Sequence, residues 1–284
     1  MTIKYIDIHS HLNLSPFTDS IEDAIKKLEV EGVATICVGT DLASSKRAIE
    51  IAEMSDYIWA TVGQHPTDTN DAFDEAAFLE LAKHSKVVAI GECGLDYFRT
   101  PKNAPLHGAG ENTATIFDFQ KDIFLKQIAI AQKVQKPLMI HARPSKSMMD
   151  AYEDTLEILS NFPGVRANFH FFVGDTTIAA KALAAGHTMS FDGPITFTNE
   201  YDSVIAALPL SAMMAETDAP FAAPEPYRSA NKTVRTDGKT MPALCEPWMV
   251  KEVVTRIALL KNADLETVRL AMIENAKQFF KILL

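Results

Sequence analysis

The sequence predicts an α/β protein built as a (β/α)8 TIM barrel, and three observations carry that expectation. Eight short apolar runs alternate with longer helix-patterned runs along the chain. Several of the short runs are almost continuously apolar, as parallel strands covered on both faces must be. The length of 284 residues suits a barrel of roughly 250 residues with modest insertions. An open doubly wound sheet is the alternative, but eight βα units of this length favour closure. No repeat, low-complexity tract or linker divides the chain, so residues 1–284 read as a single domain.

The predicted strands are Tyr5–Ile8, Val33–Val38, Ile58–Val62, Val87–Ile90, Pro137–Ile140, Ala167–Phe171, His187–Phe191 and Met213–Glu216. Between them the 3.6-residue periodicity predicts helices over Ile21–Glu31, Leu42–Met54, Phe73–Lys83, Ile116–Gln135, Lys146–Leu159, Thr176–Ala185 and Glu200–Leu208. Trp248–Leu260 and Leu265–Ile282 close the chain. Asp19-Ser20 and Asp264 stand where N-caps belong. Two connections are long: Leu95–Thr115, rich in Gly, Pro, Asn and Thr, and Ala219–Pro247, with five prolines. Both follow strands, which places them over the C-terminal face, where barrel enzymes work.

Composition narrows the class. Hydrophobic residues make up 47% and charged residues 23%, a globular balance. A net charge of −10 argues against binding nucleic acid through overall charge, while a local basic patch or a metal leaves phosphate substrates open. Cys37, Cys93 and Cys245 are scattered and odd in number, which suits a reducing compartment better than a disulfide framework. The chain starts directly on an apolar strand, and no run approaches the ~20 apolar residues of a membrane span. The expectation is a soluble, cytoplasmic protein with no membrane partner.

The chemistry begins at Asp7-Ile8-His9-Ser10-His11. Strand alternation puts residues 7, 9 and 11 on one face and Ile6, Ile8 and Ser10 on the other. Two imidazoles at that spacing can chelate one metal ion. Alone, the pair reads equally well as two polar residues ending a strand. Four further strand ends change the balance. Glu92 follows strand four, His141 follows strand five, His170 lies at the end of strand six and Asp218 follows strand eight. A chance scatter of acids and histidines would populate both ends of the barrel, whereas these gather at one.

Taken together, these residues resemble the TatD family of metal-dependent deoxyribonucleases, within the amidohydrolase-like superfamily. The matching motifs are DIHSH at 7–11, GQHP at 63–66, GECGLDY at 91–97, IHAR at 140–143, HFFVG at 170–174, ETDAP at 216–220 and ENAKQFF at 274–280. They span nearly the whole chain. The resemblance implies that His9 and His11 hold one metal and that Glu92 bridges to a second. His141 and His170 would complete the second site, and Asp218 would bind metal or act on the water nucleophile. It places His65 and Arg143 near the substrate phosphate. It implies one or two divalent ions (magnesium, manganese or zinc) and 3′-to-5′ exonuclease action on single-stranded DNA by a dimetal-activated water. An ester of D-aminoacyl-tRNA or a small-molecule amidohydrolase substrate is the alternative.

The residues support parts of this independently. A carboxylate has two oxygens, so Glu92 suits a bridge, and Asp218 can exchange a proton with water and leaving group. Four imidazoles suit zinc, manganese, iron or nickel better than magnesium. Arg143 lies two residues past His141, and its planar fork matches phosphate. Some superfamily members bridge their metals with a carboxylated lysine instead. Lys86 and Lys136 begin strands, at the wrong end, and Lys146 lies past Pro144, which disfavours phosphotriesterase-like and dihydroorotase-like chemistry. Tyr97, Arg99 and Arg228 read as loop residues that could reach substrate. His84, His107 and His187 read as structural. Three departures from the family border the substrate face: a longer glycine-rich loop at 98–115, Phe171 after His170, and Leu244-Cys245-Glu246-Pro247 preceded by the segment 231–242.

Overall fold

The computed structural model describes residues 2–68, 72–100, 102, 115–230, 233–234, 240–241 and 243–284. Eight parallel strands follow one another in sheet order: β1 (Tyr5–Ser10), β2 (Val33–Val38), β3 (Ile58–Val62), β4 (Val87–Asp96), β5 (Leu138–Arg143), β6 (Ala167–Phe169), β7 (Thr188–Phe191) and β8 (Met213–Ala215). The helices between them are α1 (Ile21–Glu31), α2 (Leu42–Glu53), α3 (Glu75–Ala82), α4 (Ile116–Val134), α5 (Asp150–Ser160), α6 (Thr176–Ala184) and α7 (Asp202–Ala207). After β8 come α8 (Tyr227–Ala230), a short antiparallel pair, β9 (Thr233–Val234) and β10 (Thr240–Met241), and then α9 (Val250–Lys261) and α10 (Leu265–Phe280). This is the expected (β/α)8 barrel.

Closure does not run through a β8–β1 ladder. The segment after β8 makes it instead: the Asp218 N–H donates to the His9 carbonyl, and the His11 N–H donates to the Ala219 carbonyl. The backbone that joins the barrel therefore also places Asp218 beside the two histidines.

Alternation along the strands sorts the core into two parts. Val33 and Cys37 of β2 pack with helix residues such as Ile25, Leu28 and Ala48. Ala34, Ile36 and Val38 pack with Ile6, Ile8, Met139 and Met214 in a separate cluster, the barrel interior. Phe279, Phe280 and Ile282 join that interior cluster from the C-terminus. Helix α10 lies against the N-terminal ends of the strands. Arg269 donates to the Lys4 carbonyl, Arg166 to the Phe279 carbonyl, and Asn275 to the Leu210 and Met213 carbonyls. One mouth of the barrel is thus sealed, and the other carries the site.

Several sequence expectations change in detail. Strand β4 runs to Asp96 rather than ending at Ile90, because Gly91 (φ 151°) and Gly94 (φ 133°) carry the chain onward against β5. A Cβ on either glycine would meet the carbonyl oxygen of Met139 or His141 at 2.4 or 2.2 Å, so side chains are excluded there. Strict alternation in β1 also fails. Three steps on β1, Asp7 to Ser10, match two on β2, Thr35 to Cys37, a bulge. Asp7 and Ser10 consequently meet in one hydrogen-bonded group with Thr35, on the same side rather than opposite sides.

Helix starts shift for local reasons. Asp74 caps α3 by accepting from the Ala77 N–H, and Phe73 stacks on Phe78 as a hydrophobic staple, so Phe73 stays outside the helix. Helix α5 begins at Asp150 rather than Lys146, since Ser147 takes φ 62° and the Asp150 carboxylate holds the Ser145 N–H. Ser20 makes no side-chain cap on α1, having left the cap geometry at φ −154°, ψ 55°. Asp264 does cap α10, through the Thr267 N–H. His107 and segment 231–242, apart from the two short strands' backbones, lie outside the described residues.

Candidate metal centre

The structure brings together the six residues expected to form the centre. Glu92 sits in the middle, buried, with each carboxylate oxygen facing a different group. On the Oε2 side, His9 Nε2 is at 3.5 Å and His11 Nε2 at 3.7 Å. Asp218 Oδ1 lies beyond them, 3.6 Å from His9 and 3.2 Å from His11. On the Oε1 side, His141 Nδ1 and His170 Nε2 are both at 2.8 Å. His9 and His170 stack with ring centroids 3.9 Å apart, which ties the two sides together.

His65 is the exception to the sequence picture. Expected as a phosphate contact, it lines the cavity but also packs into the cluster, with Nε2 at 3.3 Å from Glu92 Oε1. Its Nδ1 accepts the Thr67 backbone N–H. That nitrogen therefore carries no hydrogen, and in the neutral ring Nε2–H points at Glu92. Burial, with the His141 ring beside it, brings His65 down to about 4.

Electrostatics at the centre reflect crowding. Burial would raise Glu92, but His170, His65 and His141 outweigh it and hold the carboxyl well below the usual range. Asp218 is held low in the same way, burial being overcome by His11 and His9. Burial, aided by His170, pushes His9 down. His170 goes the other way: burial is overcome by Glu92 and Glu216, and the imidazole is raised well above its ordinary value.

Three buried partners aim the rings, and two of them are acids to which the sequence reading gave no role. His11 Nδ1 donates to the Val38 carbonyl at 3.0 Å. His141 Nε2 is 3.0 Å from Asp96 Oδ2. His170 Nδ1 is 3.4 Å from Glu216 Oε1, and Glu216 also accepts from the Ser190 hydroxyl and the Phe171 N–H. Carboxylates and carbonyls behind ligating histidines are the usual orienting groups of metal sites. A signal existed: Asp96 and Glu216 are acids at strand ends, within four residues of Glu92 and Asp218 respectively. Asp192, at the end of β7, also went unnoticed. It is buried, its Oδ2 has no hydrogen-bond partner among the described residues, and burial beside Glu216 and Asp218 pushes its carboxyl well up.

The donor set fits divalent cations. His9 Nε2 and His11 Nε2 face each other at 3.2 Å inside a buried pocket. The hydrogen bond to Val38 leaves the His11 Nε2 lone pair free. Ligand atoms of His9, His11 and Asp218 lie within 4.8 Å of one another, as do those of His9, Glu92 and His170. A cation satisfies converging lone pairs that a hydrogen bond cannot.

The centre opens into a cavity of about 1230 Å³. Arg143, the last residue of β5, lines it with its guanidinium 4.3 Å above the Phe98 ring. Arg99 and Lys146 line the same space. Among the cysteines, Cys93 turns from the site towards the Met139 carbonyl, and burial pushes Cys37 up to about 12. Cys245 packs near the Thr217 carbonyl.

Residues 6–281 match the family model described as TatD-related DNase. The chain belongs to that family. It is 35% identical to the uncharacterised metal-dependent hydrolase YabD of Bacillus subtilis, with 97% of this chain and 98% of the relative covered. It is 29% identical to the uncharacterised metal-dependent hydrolase YcfH of Escherichia coli K12, covering 98% and 96%. The crystal structure of the TatD homologue YJJV from Escherichia coli K12 superposes with a TM-score of 0.80 at 23% identity over all of both chains. That likeness concerns the fold. This TatD-family protein is a metal-dependent hydrolase. Among the described residues, no helix is long and apolar enough to cross a membrane.

Proposed function

We propose that this protein is a phosphodiesterase that removes nucleotides from the 3′ end of single-stranded DNA. The observation that carries the reading is the split environment of Glu92. Its two oxygens face two separate sets of imidazoles at the floor of a cavity walled by Arg143, Arg99 and Lys146. His9, His11 and Asp218 would hold one divalent cation, His141 and His170 a second, and Glu92 would span both. His65, whose bare nitrogen is already taken by Thr67, donates to Glu92 instead of ligating. Bound cations of this kind supply Lewis acidity and lower the pKa of water. Manganese and zinc suit the imidazole-rich set better than magnesium.

The chain's own residues do the rest. Asp218, kept as a carboxylate by His11 and His9, takes the proton of the attacking water on its carboxylate and returns it to the leaving oxygen. Arg143 orients the phosphate through its planar fork, with Phe98 backing the guanidinium. Asp96 and Glu216 keep His141 and His170 aimed at Glu92. The test is nucleotide release from 5′-labelled and 3′-labelled single-stranded oligonucleotides with added manganese, zinc or magnesium. Mononucleotides released from the 3′ end are expected. No release with any metal would sink the reading and turn attention to carboxylic esters.

A further inference from the structure

The centre accounts for the polar floor of the cavity but not for Phe98 and Phe221, two of the four phenylalanines that line it. Phe98 and Phe221 are 53% and 51% exposed, and both line the cavity. Singly exposed apolar residues are ordinary on protein surfaces. These two are not placed at random, because each is presented by a turn that also carries a residue of the centre.

Phe98 is fixed through Asp96. One oxygen of Asp96 accepts the N–H groups of Phe98 and Arg99 at 3.0 and 2.7 Å, while the other holds His141. Phe221 is fixed through Asp218: its N–H donates to the Asp218 carbonyl at 2.8 Å, and Asp218 itself takes φ 53°. The Phe221 ring stands edge-on to His11, with centroids 6.1 Å apart. His141 faces Oε1 of Glu92, and His11 lies on the Oε2 side. Phe221 therefore stands beside His11 on the Oε2 side of Glu92, while the backbone of Phe98 is tied through Asp96 to His141 on the Oε1 side. Arg143, covering one face of Phe98, adds a cation to that platform.

We propose that Phe98 and Phe221 are stacking platforms for the two unpaired nucleobases that flank the scissile phosphate. This rests on the phosphodiesterase reading and deepens it. Aromatic faces accept any base, because every base has a π-face. A duplex, whose bases are already stacked on each other, cannot use either platform without unpairing. The platforms thus select for single strands and for nucleobases, not for sequence.

The experiment measures steady-state cleavage of three oligonucleotides by the full-length, metal-loaded protein. These are an unmodified single strand, the same strand with abasic residues flanking the terminal linkage, and a blunt duplex. For the wild type, abasic residues should raise KM about tenfold per lost base, and the duplex should be cleaved far more slowly. Phe98→Ala and Phe221→Ala should each raise KM on the unmodified strand by about tenfold, with the loss falling on KM rather than kcat. The diagnostic is the abasic penalty, which should shrink in each alanine variant and be recovered in Phe98→Trp or Phe221→Trp. An unchanged abasic penalty in both alanine variants, or no abasic penalty in the wild type, overturns the proposal while leaving the phosphodiesterase reading intact. No cleavage of any strand by the wild type overturns both.

Discussion

The two mouths of this barrel are built from the same strands and solve opposite problems. At the N-terminal mouth, Phe279, Phe280 and Ile282 close the interior over Ile6, Ile8, Trp59, Val88 and Met139. At the C-terminal mouth, Asp7, His9, Glu92, Asp192, Glu216 and Asp218 crowd into one buried or nearly buried patch. The first arrangement gains stability from apolar burial. The second spends part of it, since charges out of water cost free energy unless each is paired. Substitutions at the open mouth should therefore change chemistry first, and substitutions at the closed mouth should change stability first.

The largest expected effect tests the open mouth. Glu92→Gln keeps the shape and the hydrogen-bonding capacity but removes the charge shared between the two imidazole sets. Turnover should fall by at least about a thousandfold, equivalent to roughly 4 kcal/mol of barrier, with the folded structure retained by circular dichroism. Turnover within tenfold of wild type would show that the charge at the centre is not needed. The matching substitution at the closed mouth is Phe280→Ala, which should cost about 3–5 kcal/mol of stability in urea unfolding. Its turnover per folded molecule, measured well below the melting temperature, should match the wild type. If Phe280→Ala instead lowered turnover without lowering stability, the division between the two ends would fail.

A smaller effect separates the residues that touch the proposed cations from those that aim them. Glu216 stands 3.4 Å from His170 Nδ1 and accepts the Phe171 N–H. Glu216→Gln should weaken metal binding by about 10- to 100-fold, read by calorimetric titration of manganese or zinc into the metal-free protein. The bound complement should be restored at high metal concentration. A variant that binds as tightly as wild type would assign Glu216 to packing alone.

How much of this was legible in the sequence differs between the two ends. Strands β2 and β3 and helix α1 fall where the hydrophobic pattern puts them, because their apolar runs stop where the structure stops. The gathered acids and histidines were legible too, since barrel topology sends every strand's C-terminal end to one mouth. What escaped were features set by partners distant in sequence. The continuation of β4 through Gly91 and Gly94 depends on the close backbone of β5, which a hydropathy pattern does not show. Asp96 and Glu216 look like ordinary loop acids until folding brings His141 and His170 beside them. The role of α10 as a plug depends on contacts with Lys4, Arg166 and Met213, up to 265 positions away in the chain.

The last prediction concerns a titratable residue at the closed end. His187 directly precedes β7, is buried against Phe169, and has a ring nitrogen with no hydrogen-bond partner among the described residues. Burial lowers its pKa from the ordinary value because the charged ring is costly there. The sign follows from linkage. Below about pH 6.5, the ordinary histidine value, the unfolded chain binds a proton that the folded chain refuses. Stability from the neutral ring is therefore full above that pH and shrinks as pH falls towards the folded-state value. The histidines of the open mouth also titrate in this range, so the informative quantity is a difference between two proteins. His187→Leu removes only the closed-end group. Urea unfolding of wild type and variant at pH 7.5, 6.5 and 5.5 should show the wild type losing ground to the variant with each step down. Parallel stability curves would mean that His187 titrates alike folded and unfolded, and that the closed mouth admits water to the ring.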